Sequence, residues 1–445
     1  MKKVDVLIIG GSASGPVAGI TARRHYPDAS VTVIRKEKQV LIPCGIPYIF
    51  GTVGSPEKNL IPDALLSKNG IDLIVDEATS IDREAKTVTL AGGETIGYEK
   101  LVLGIGSQPL VPPLPGVDLD GVFSVKKDVA YLNSLLQTLS GAKDVVIIGG
   151  GFIGLEMADE CAKSGSSVTV VELLPHCLYL VFDEDICIRV EEKLAERGIK
   201  VMTNNKAKAV LGDGKARGVL LDSGEELKAD VVIFGIGVRP NTKLAQDAGL
   251  KIGERRGIWV DRYMRTSDED IFAVGDCAEK MDFFTGKPSG LRLASIATAE
   301  ARIAGANLFR LKRANKGTIG VFATKIGDLA MGMAGMREKT AREAGFDVVV
   351  GEAETVNRHP GSMPGATPLK VKLVFHKDSG QLLGGQACGG TSTGEFVNVI
   401  AGLIQAGMTA DEVATYQMGT HPALTASPIA YPLVNAAEIA LKKMR

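Results

Sequence analysis

The chain has 445 residues, which is long enough for two or three domains, and 45% of them are hydrophobic, so it can bury substantial cores. Its 51 basic and 52 acidic side chains give a net charge of −1. No basic stripe points to nucleic-acid binding, and no acidic tail points to disorder. The sequence contains no run of about 18 apolar residues, so we expect no transmembrane helix. The six cysteines are scattered without a C-x-x-C pair, so we expect a cytoplasmic protein without a disulfide framework.

The N-terminal residues predict a nucleotide-binding βαβ unit. A buried strand over Val4–Ile9 runs into a glycine turn, a helix of small residues that ends near Arg24, and a second strand over Val31–Ile34. The first apolar run is too short for a signal peptide. Ser12 replaces the middle glycine of the G-x-G-x-x-G pattern, and the acidic residue expected after the second strand is displaced to Glu37, so an ordinary structural turn stays an alternative. The candidate dinucleotide contacts are Gly10, Ser12, Ala13, Ser14, Gly15, Arg35, Lys36 and Glu37.

Cys44 stands in the segment Leu41–Tyr48, among prolines and a glycine that predict an exposed turn. No other cysteine lies within a hundred residues of it, and Ile49 follows five positions later. A lone thiol can form a mixed disulfide with a small thiol, or it can become a sulfenic acid. The alternative is a buried packing cysteine, which is the role we expect for Cys161 and Cys388.

A second βαβ unit begins with a strand over Asp144–Ile148, and its glycine turn fits G-x-G-x-x-G. A helix to about Ser164 and a strand over Val168–Val171 follow. Glycines in such a turn allow close approach to a pyrophosphate. Glu172 comes 23 residues after the first glycine, where a carboxylate accepts hydrogen bonds from a ribose 2′-hydroxyl and repels a 2′-phosphate, so we expect NADH rather than NADPH. The candidate contacts are Gly149, Gly151, Gly154 and Glu172.

Short strands separated by turns lie between and after the two units, and the proline-rich segment Gln108–Gly116 is typical of a linker. A composition shift near Lys325 begins a stretch of alternating strands and helices, which predicts a separate α+β domain of about 120 residues. The elements predicted in these regions are the strands Lys86–Leu90, Leu101–Leu103, Ala229–Phe234, Val348–Gly351 and Leu369–Phe375 and the helix Gly394–Gln405.

The segment Thr266–Ala278 places a turn, a strand and Gly275-Asp276 before a predicted helix, and it resembles the second flavin fingerprint of the two-dinucleotide flavoproteins. With the two glycine turns and the return segments Leu103–Ser107 and Phe234–Asn241, it makes the whole chain similar to the pyridine nucleotide-disulfide oxidoreductases. This resemblance implies FAD and NADH as cofactors and an α/β fold with two Rossmann-like domains. The domains that it implies are an FAD-binding domain over 1–112 and 245–324, an NAD(P)-binding domain over 113–244, and a C-terminal α+β dimerisation domain over 325–445.

The resemblance also implies further cofactor contacts. Asp276 would bond the ribityl chain, and the helix after it would point its N-terminus at the flavin. Phe152 would gate the flavin face where the nicotinamide stacks, and the Ala294 backbone would contact the flavin. The remaining contacts that it implies are Pro43, Cys44, Gly106, Ser107, Ile153, Gly237 and Gly275.

In the familiar disulfide reductases a C-x-x-x-x-C pair begins the helix at the position of Cys44. The lone cysteine here instead resembles the single-cysteine branch, which contains coenzyme A disulfide reductases, polysulfide or persulfide reductases, and NADH oxidases or peroxidases. The resemblance implies a helix N-terminus and a flavin beside Cys44, which would lower the pKa of the thiol.

His421-Pro422 resembles the His-Pro pair that reaches across the dimer in this family, where the imidazole acts as acid and base for the leaving thiol. Ala426 lies in the stretch where the family has an acidic residue that orients the histidine, so a surface histidine beside a turn proline stays an alternative. Tyr431 is a further catalytic candidate, although a core or interface tyrosine explains it equally well. The other histidines have no ligand-like spacing, and we expect no metal site.

These expectations combine into a function. NADH would reduce FAD, and the electrons would pass to a mixed disulfide or persulfide at Cys44 of a homodimer, so that a small disulfide, persulfide or polysulfide is reduced. The first alternative is an NADH oxidase or peroxidase, whose cysteine becomes a sulfenic acid. Such oxidases often carry a histidine where this chain has Ser12-Ala13, which favours the thiol reaction. The second alternative is a flavin redox sensor or electron-transfer subunit that works through a partner.

Overall fold

A computed structural model describes residues 1–444 of the chain. The α-helices within these residues are α1 (Ser14–His25), α2 (Ala64–Ser67), α3 (Val129–Ser140), α4 (Phe152–Lys163), α5 (Glu184–Glu196), α6 (Lys243–Asp247), α7 (Ala294–Asn307), α8 (Glu338–Glu343), α9 (Thr393–Ala406), α10 (Ala410–Ala414) and α11 (Pro432–Met444). None of the helices within 1–444 combines the length and the apolarity that crossing a bilayer requires.

The β-strands are shorter and more numerous. They are β1 (Lys2–Ile9), β2 (Val31–Arg35), β3 (Val40–Leu41), β4 (Leu60–Ile61), β5 (Asp72–Val75), β6 (Ala78–Asp82), β7 (Thr87–Leu90), β8 (Thr95–Leu103), β9 (Ser107–Pro109), β10 (Val122–Ser124), β11 (Asp144–Ile148), β12 (Ser167–Val171), β13 (Lys200–Met202), β14 (Ala207–Asp213), β15 (Lys215–Leu221), β16 (Glu226–Lys228), β17 (Val231–Phe234), β18 (Val238–Pro240), β19 (Ile271–Ala273), β20 (Lys280–Met281), β21 (Pro288–Ser289), β22 (Val321–Ile326), β23 (Leu329–Gly335), β24 (Val348–Val356), β25 (Pro368–His376) and β26 (Leu382–Gly389).

The chain divides into two compact units. The first comprises Met1–Lys143, Val210–Arg217 and Asp230–Thr318, and the second comprises Asp144–Ala209, Gly218–Ala229 and Ile319–Arg445.

The core of the first unit is a largely parallel sheet in the order β5-β2-β1-β8, with β19 beside the end of β8. Ile9 is in register with both Ile34 and Leu103, and Leu103 with Ala273, so four strands end at the same edge. Strands such as β2 are buried along their whole length, as expected where helices cover both faces of a parallel sheet. The segments that follow these strands therefore meet at that edge.

Two helices of small residues pack closely in the first unit. Gly305 of α7 lies so near α1 that an added Cβ would stand 2.5 Å from the Ala18 carbonyl oxygen and 2.8 Å from the Thr21 side chain. Any larger residue would force the helices apart, which explains the run of alanines and glycines in both. The close packing fixes the N-terminus of α1 at the edge of the sheet.

The second unit contains a parallel sheet and an antiparallel one. In the parallel sheet β12 lies between β11 and β13, and Ile148 is in register with Val171. The antiparallel sheet has the order β22-β23-β26-β25-β24, with α9 packed on β23 and β26 and α11 on β24 and β25. These elements confirm the predicted mixed α/β fold with Rossmann-like parallel sheets and a C-terminal α+β part.

Two local predictions are wrong. The helix predicted directly after Asp276 does not follow it: a 3₁₀ turn over Gly275–Cys277 leads into the β20–β21 pair, and α7 begins only at Ala294. The Asp282 side chain accepts hydrogen bonds from the backbone of Phe284 and Thr285, which closes a turn where the helix was expected.

The residues around Cys44 also form no α-helix. They form 3₁₀ turns over Pro43–Gly45 and Pro47–Phe50, because two closely spaced prolines and a glycine interrupt any longer helix.

Candidate active site

Three predicted cofactor segments meet at Ser14, at the shared strand edge of the first unit. An added Cβ would lie 2.9 Å from the Ser14 hydroxyl at Gly104 and 3.0 Å from it at Gly275. Gly10 has a φ of +122°, a backbone conformation that residues other than glycine rarely adopt. The glycine turn, the return segment and the second flavin fingerprint thus lie side by side.

The N-terminus of α1 provides a test of whether a dinucleotide fits this edge. Among the described residues, no side chain caps α1 at its N-cap residue Ala13. The first backbone N–H groups of a helix need an acceptor, and a pyrophosphate supplies one. In the same return segment as Gly104, an added Cβ at Gly106 would meet no atom of the described chain within 4 Å. The open space and the uncapped donors fit FAD.

Asp276 and Ser107 are predicted cofactor contacts that the fold brings together. The Ser107 hydroxyl donates a 2.6 Å hydrogen bond to the Asp276 carboxylate, and the Lys127 ammonium lies 3.8 Å from it. Asp276 is half-buried. Ala294 is the first residue of α7 and is also half-buried.

A buried ion pair that the sequence analysis missed holds the Gly275 turn. The Glu300 carboxylate accepts 2.8 Å hydrogen bonds from the Gly275 N–H and from the Lys280 ammonium. The ammonium also donates to the carbonyl oxygens of Gly275, at 2.5 Å, and Ala278, at 3.0 Å. Burial raises the pKa of Glu300, and the charge of Lys280 opposes that shift. Both groups are spaced too widely in sequence to form a recognisable motif.

Arg35 takes the place of the missing acidic residue at the end of β2. Its guanidinium is buried and donates to the carbonyl oxygens of Glu37, at 2.8 Å, and Lys38, at 2.9 Å, and to both carboxylate oxygens of Asp63. Lys36 is exposed and pairs with Glu77 at 3.7 Å. Arg35 therefore organises the loop that leads towards Cys44, and the predicted ribose contacts of these residues stay predictions.

Cys44 is exposed in its 3₁₀ turn, as predicted. Asn59, which is buried, donates from its side chain to the Ile42 carbonyl oxygen at 2.9 Å. A Cβ at Gly45 would collide with the Asn59 side-chain oxygen, so this position requires glycine. Asn59 braces the cysteine turn, and no pattern in the sequence identified it.

The other five cysteines are buried. Burial raises the pKa of Cys161 and Cys187 to about 12, and that of Cys277 and Cys388 to about 11. The pKa of Cys177 is raised further by burial. Because the thiolate is the reactive form, these thiols are inert near neutral pH.

The glycine turn of the second unit is held by Glu172 and leaves space at the N-terminus of α4. Glu172 is buried at the end of β12 and accepts hydrogen bonds from the N–H groups of Gly150, at 2.6 Å, and Leu174, at 2.7 Å. A Cβ at Gly154 would overlap the Gly149 carbonyl oxygen, whereas one at Gly151 would meet no described atom within 4 Å. This open space at the N-terminus of α4 fits a pyrophosphate.

The predicted gate Phe152 is packed in an aromatic cluster. Its ring stacks on Phe322 with centroids 5.4 Å apart and meets the edge of Phe182 at 6.2 Å. Ile153 is half-buried, and Gly237, in the other unit, is exposed with a φ of +108°. The gating role stays a prediction.

The C-terminal segment presents His421 on the surface. Its Nδ1 accepts a 3.2 Å hydrogen bond from the Ala423 N–H, and its backbone N–H donates to the Thr425 hydroxyl at 3.0 Å. Tyr431 is buried, 6.0 Å from the Phe396 ring, and burial raises the pKa of its hydroxyl, so it stays protonated at neutral pH. Ala426 is buried too.

No group of three or more histidine, cysteine or acidic side chains within residues 1–444 is arranged to hold a metal ion.

Sequence comparisons place this arrangement in context. Residues 4–301 match the sequence profile of the pyridine nucleotide-disulphide oxidoreductases, and residues 321–429 match the profile of the dimerisation domain of that family. The chain is 34% identical to an NADH oxidase of Methanocaldococcus jannaschii over 98% of this chain and 99% of the relative. It is also 34% identical to a CoA-dependent NAD(P)H sulfur oxidoreductase of Pyrococcus furiosus, over 99% of both chains.

A solved structure of similar sequence has the same fold. The NAD-dependent persulfide reductase of A. fulgidus superposes with a TM-score of 0.91 at 33% identity, over 99% of this chain and 83% of that one. Because the sequence profile matches, the identities extend over nearly the full length and the fold is shared, the assignment is clear. The chain belongs to the pyridine nucleotide-disulphide oxidoreductase family, whose enzymes use FAD and a pyridine nucleotide.

Proposed function

We propose that this oxidoreductase reduces a small disulfide, persulfide or polysulfide through Cys44. The observation that carries the proposal is the contrast among the cysteines: Cys44 is exposed in a braced turn, whereas the other five are buried. Ile49 stands where the dithiol members of the family have a second cysteine, so the sulfur that pairs with Cys44 comes from a substrate.

The cofactor sites follow from the two glycine turns. We assign FAD to the N-terminus of α1 with Ser107 and Asp276, and NADH to the N-terminus of α4 with Glu172. When bound, FAD would supply the redox chemistry that links hydride donation by NADH to the reduction of a sulfur–sulfur bond. The Glu172 carboxylate favours a ribose hydroxyl over a 2′-phosphate, which supports NADH over NADPH.

Cys44 and His421 then carry the sulfur chemistry. The Cys44 thiolate attacks one sulfur of the substrate, which breaks the substrate S–S bond, releases one thiolate and leaves a mixed disulfide at Cys44. Two electrons that originate from NADH then cleave this disulfide, so that Cys44 becomes a thiolate again and the substrate leaves as a second thiolate. His421 protonates that leaving sulfur, since an imidazole exchanges protons near neutral pH. The relatives named as sulfur and persulfide reductases support this choice of substrate.

The test is an anaerobic titration with NADH followed by one acceptor at a time: coenzyme A disulfide, polysulfide, peroxide or dioxygen. Cys44→Ser should lower turnover with the disulfide and polysulfide at least about 1,000-fold, because the mixed disulfide cannot form. Reduction of the flavin by NADH should persist in this variant. Cys161→Ala, at a buried thiol, is the matched control and should keep turnover. Full activity of Cys44→Ser would refute the proposal.

An NADH oxidase is the second candidate, and the name of the Methanocaldococcus jannaschii relative favours it. The Cys44 thiolate would then attack peroxide, which breaks the O–O bond, leaves a sulfenic acid on Cys44 and releases hydroxide. With dioxygen as the acceptor, two electrons from NADH would first reduce it to peroxide, and two more would return the sulfenic acid to a thiolate with release of water. Oxygen uptake with NADH alone that exceeds turnover with every sulfur acceptor would select this candidate.

We also propose a homodimer in the cytoplasm, with His421 of one subunit serving Cys44 of the other. The match of residues 321–429 to a dimerisation domain supports the dimer. We further propose that the chain is divided into FAD, NAD(P) and dimerisation domains at the predicted boundaries. The roles of the individual site residues belong to the same proposal. The scattered cysteines, none of which forms a disulfide within residues 1–444, support a reducing location.

A further inference from the structure

We propose that His359 is the residue that positions His421, in place of the acidic residue that is absent near Ala426. This inference rests on the acid-base role of His421 proposed above. His359 lies at the start of the loop between β24 and β25 and is half-buried. It is 66 residues from the turn that it contacts, and no sequence pattern connects the two histidines.

His359 makes two hydrogen bonds to the turn that carries His421. Its backbone N–H donates to the Pro422 carbonyl oxygen at 3.0 Å, and its Nδ1 lies 3.1 Å from the Thr425 carbonyl oxygen. A carbonyl oxygen can only accept, so Nδ1 of His359 carries the hydrogen. One residue therefore holds both ends of the Pro422–Thr425 segment.

The turn itself is tight and places the His421 ring. The His421 carbonyl oxygen accepts from the N–H groups of Leu424 and Thr425, both at 3.0 Å. The His421 Nδ1 accepts from the Ala423 N–H, so the neutral ring carries its hydrogen on Nε2. A shift of the turn would break this bond and free the ring to rotate, because His421 is otherwise exposed.

The loop that carries His359 is itself anchored. Asn357 is buried, its backbone N–H donates to the Thr367 carbonyl oxygen at 3.0 Å, and its side-chain oxygen accepts from the Thr367 N–H at 2.8 Å. These bonds close the base of the loop on the antiparallel sheet. His359 thus fixes the exposed turn that carries His421 relative to the antiparallel sheet.

Three substitutions of His359 separate the possible roles. In His359→Asn the amide nitrogen can occupy the place of Nδ1 and keep the hydrogen bond to the Thr425 carbonyl oxygen. In His359→Gln the amide lies one carbon further along the side chain, out of that place. His359→Leu has no side-chain donor. We expect His359→Gln and His359→Leu to slow anaerobic flavin reoxidation by coenzyme A disulfide or polysulfide about tenfold, the value of one lost hydrogen bond. His359→Asn should stay within about twofold of the unchanged protein.

Flavin reduction by NADH should be unchanged in all three variants, and His376→Asn serves as the matched control on another surface. If His359 were itself the acid-base group, Asn would be as damaging as Leu, and that result overturns the proposal. Equal rates for all three variants and the unchanged protein overturn it too. Should the Leu variant fail to fold, the contrast between Asn and Gln decides.

A double variant shows whether His359 acts through His421. In the His421→Ala background, His359→Gln should cause no further loss, because the positioned ring is gone. Additive losses would overturn the proposal. If His421→Ala alone leaves sulfur turnover unchanged, the acid-base role of His421 fails first. A damaging His421→Ala with a harmless His359→Gln refutes only the positioning role.

Discussion

Gly151 precedes helix α4 and Gly154 lies in its first turn, yet a methyl group has different consequences at these two nearby positions. At Gly154 it overlaps a carbonyl oxygen, and at Gly151 it enters open space. Gly151→Ala should weaken NADH binding about tenfold, because the methyl group occupies the space of the pyrophosphate, and should leave the unfolding temperature unchanged. Fluorescence titration with NADH measures the affinity.

Gly154→Ala is the matched variant. It should lower the free energy of unfolding by about 1–3 kcal/mol through overpacking. Equal effects of the two substitutions on NADH affinity would contradict the assignment of the open space to the nucleotide.

Burial also separates the cysteines in a way that residue identity cannot. All six side chains are chemically the same, and only Cys44 reaches the surface. The sequence predicted this from the prolines and glycine around it, because turn residues act locally. The brace from Asn59 could not be predicted, since a hydrogen bond across 17 residues depends on how the chain returns.

The ion pair between Lys280 of β20 and Glu300 of α7 links two elements beneath the flavin fingerprint. Lys280→Met would leave a buried carboxylate without its cation and should lower the free energy of unfolding by about 3–5 kcal/mol. Urea unfolding followed by circular dichroism measures this loss. FAD content per chain should fall as well, because the Gly275 turn loses its support.

The double variant Lys280→Met with Glu300→Leu should recover most of the stability, because no buried charge remains unpaired. A double variant as unstable as the single one would show that the pair contributes more than charge compensation.

His176 connects the segment after β12 to α5. Its Nδ1 lies 3.1 Å from Glu191 and its Nε2 lies 3.4 Å from Glu184, and the hydrogen bond to Glu191 raises the pKa of the imidazole. A histidine pKa raised by folding stabilises the protein fully below the unfolded value, about 6.5, and this stabilisation is lost as pH rises through the folded value.

The unfolding temperature of the unchanged protein should therefore exceed that of His176→Gln at about pH 5.5, and the difference should shrink towards about pH 8. Calorimetry across this range measures it, with His376→Gln as the control. A difference that grows with pH would contradict the assigned direction.

Exposed apolar side chains near His421 are candidates for the subunit interface proposed above. Leu424 is 70% exposed and Ile429 is 91% exposed, and both lie within the part of the chain that matches the dimerisation domain. A paired substitution of both by aspartate should convert dimers to monomers and abolish sulfur turnover, because each subunit then lacks the partner's histidine. Analytical ultracentrifugation measures the mass.

Leu180→Asp is the control for this prediction, since Leu180 is 74% exposed but lies outside the matched dimerisation region. It should leave the mass unchanged. A double variant that remains dimeric with full activity would contradict the proposed interface.

The sequence was most informative where a pattern involves close neighbours. Both βαβ units were predicted within a few residues of their observed bounds, since a buried strand, a glycine turn and a helix of small residues are encoded locally. The helix predicted after Asp276 was wrong because the competing Asp282 turn depends on side-chain hydrogen bonds that hydrophobic periodicity does not report.

The two glycine turns and the exposure of Cys44 could be predicted from the amino-acid order, because each depends on residues within about one supersecondary unit. The family followed from several such segments taken together along the chain. The tertiary structure alone identified the supports: Glu300 beneath Gly275, Asn59 beneath the Cys44 turn, and His359 beside the His421 turn. Each support joins residues that chain folding brings together from 17 to 66 positions apart. Such contacts are set by packing over the whole unit, and local propensity carries no information about them.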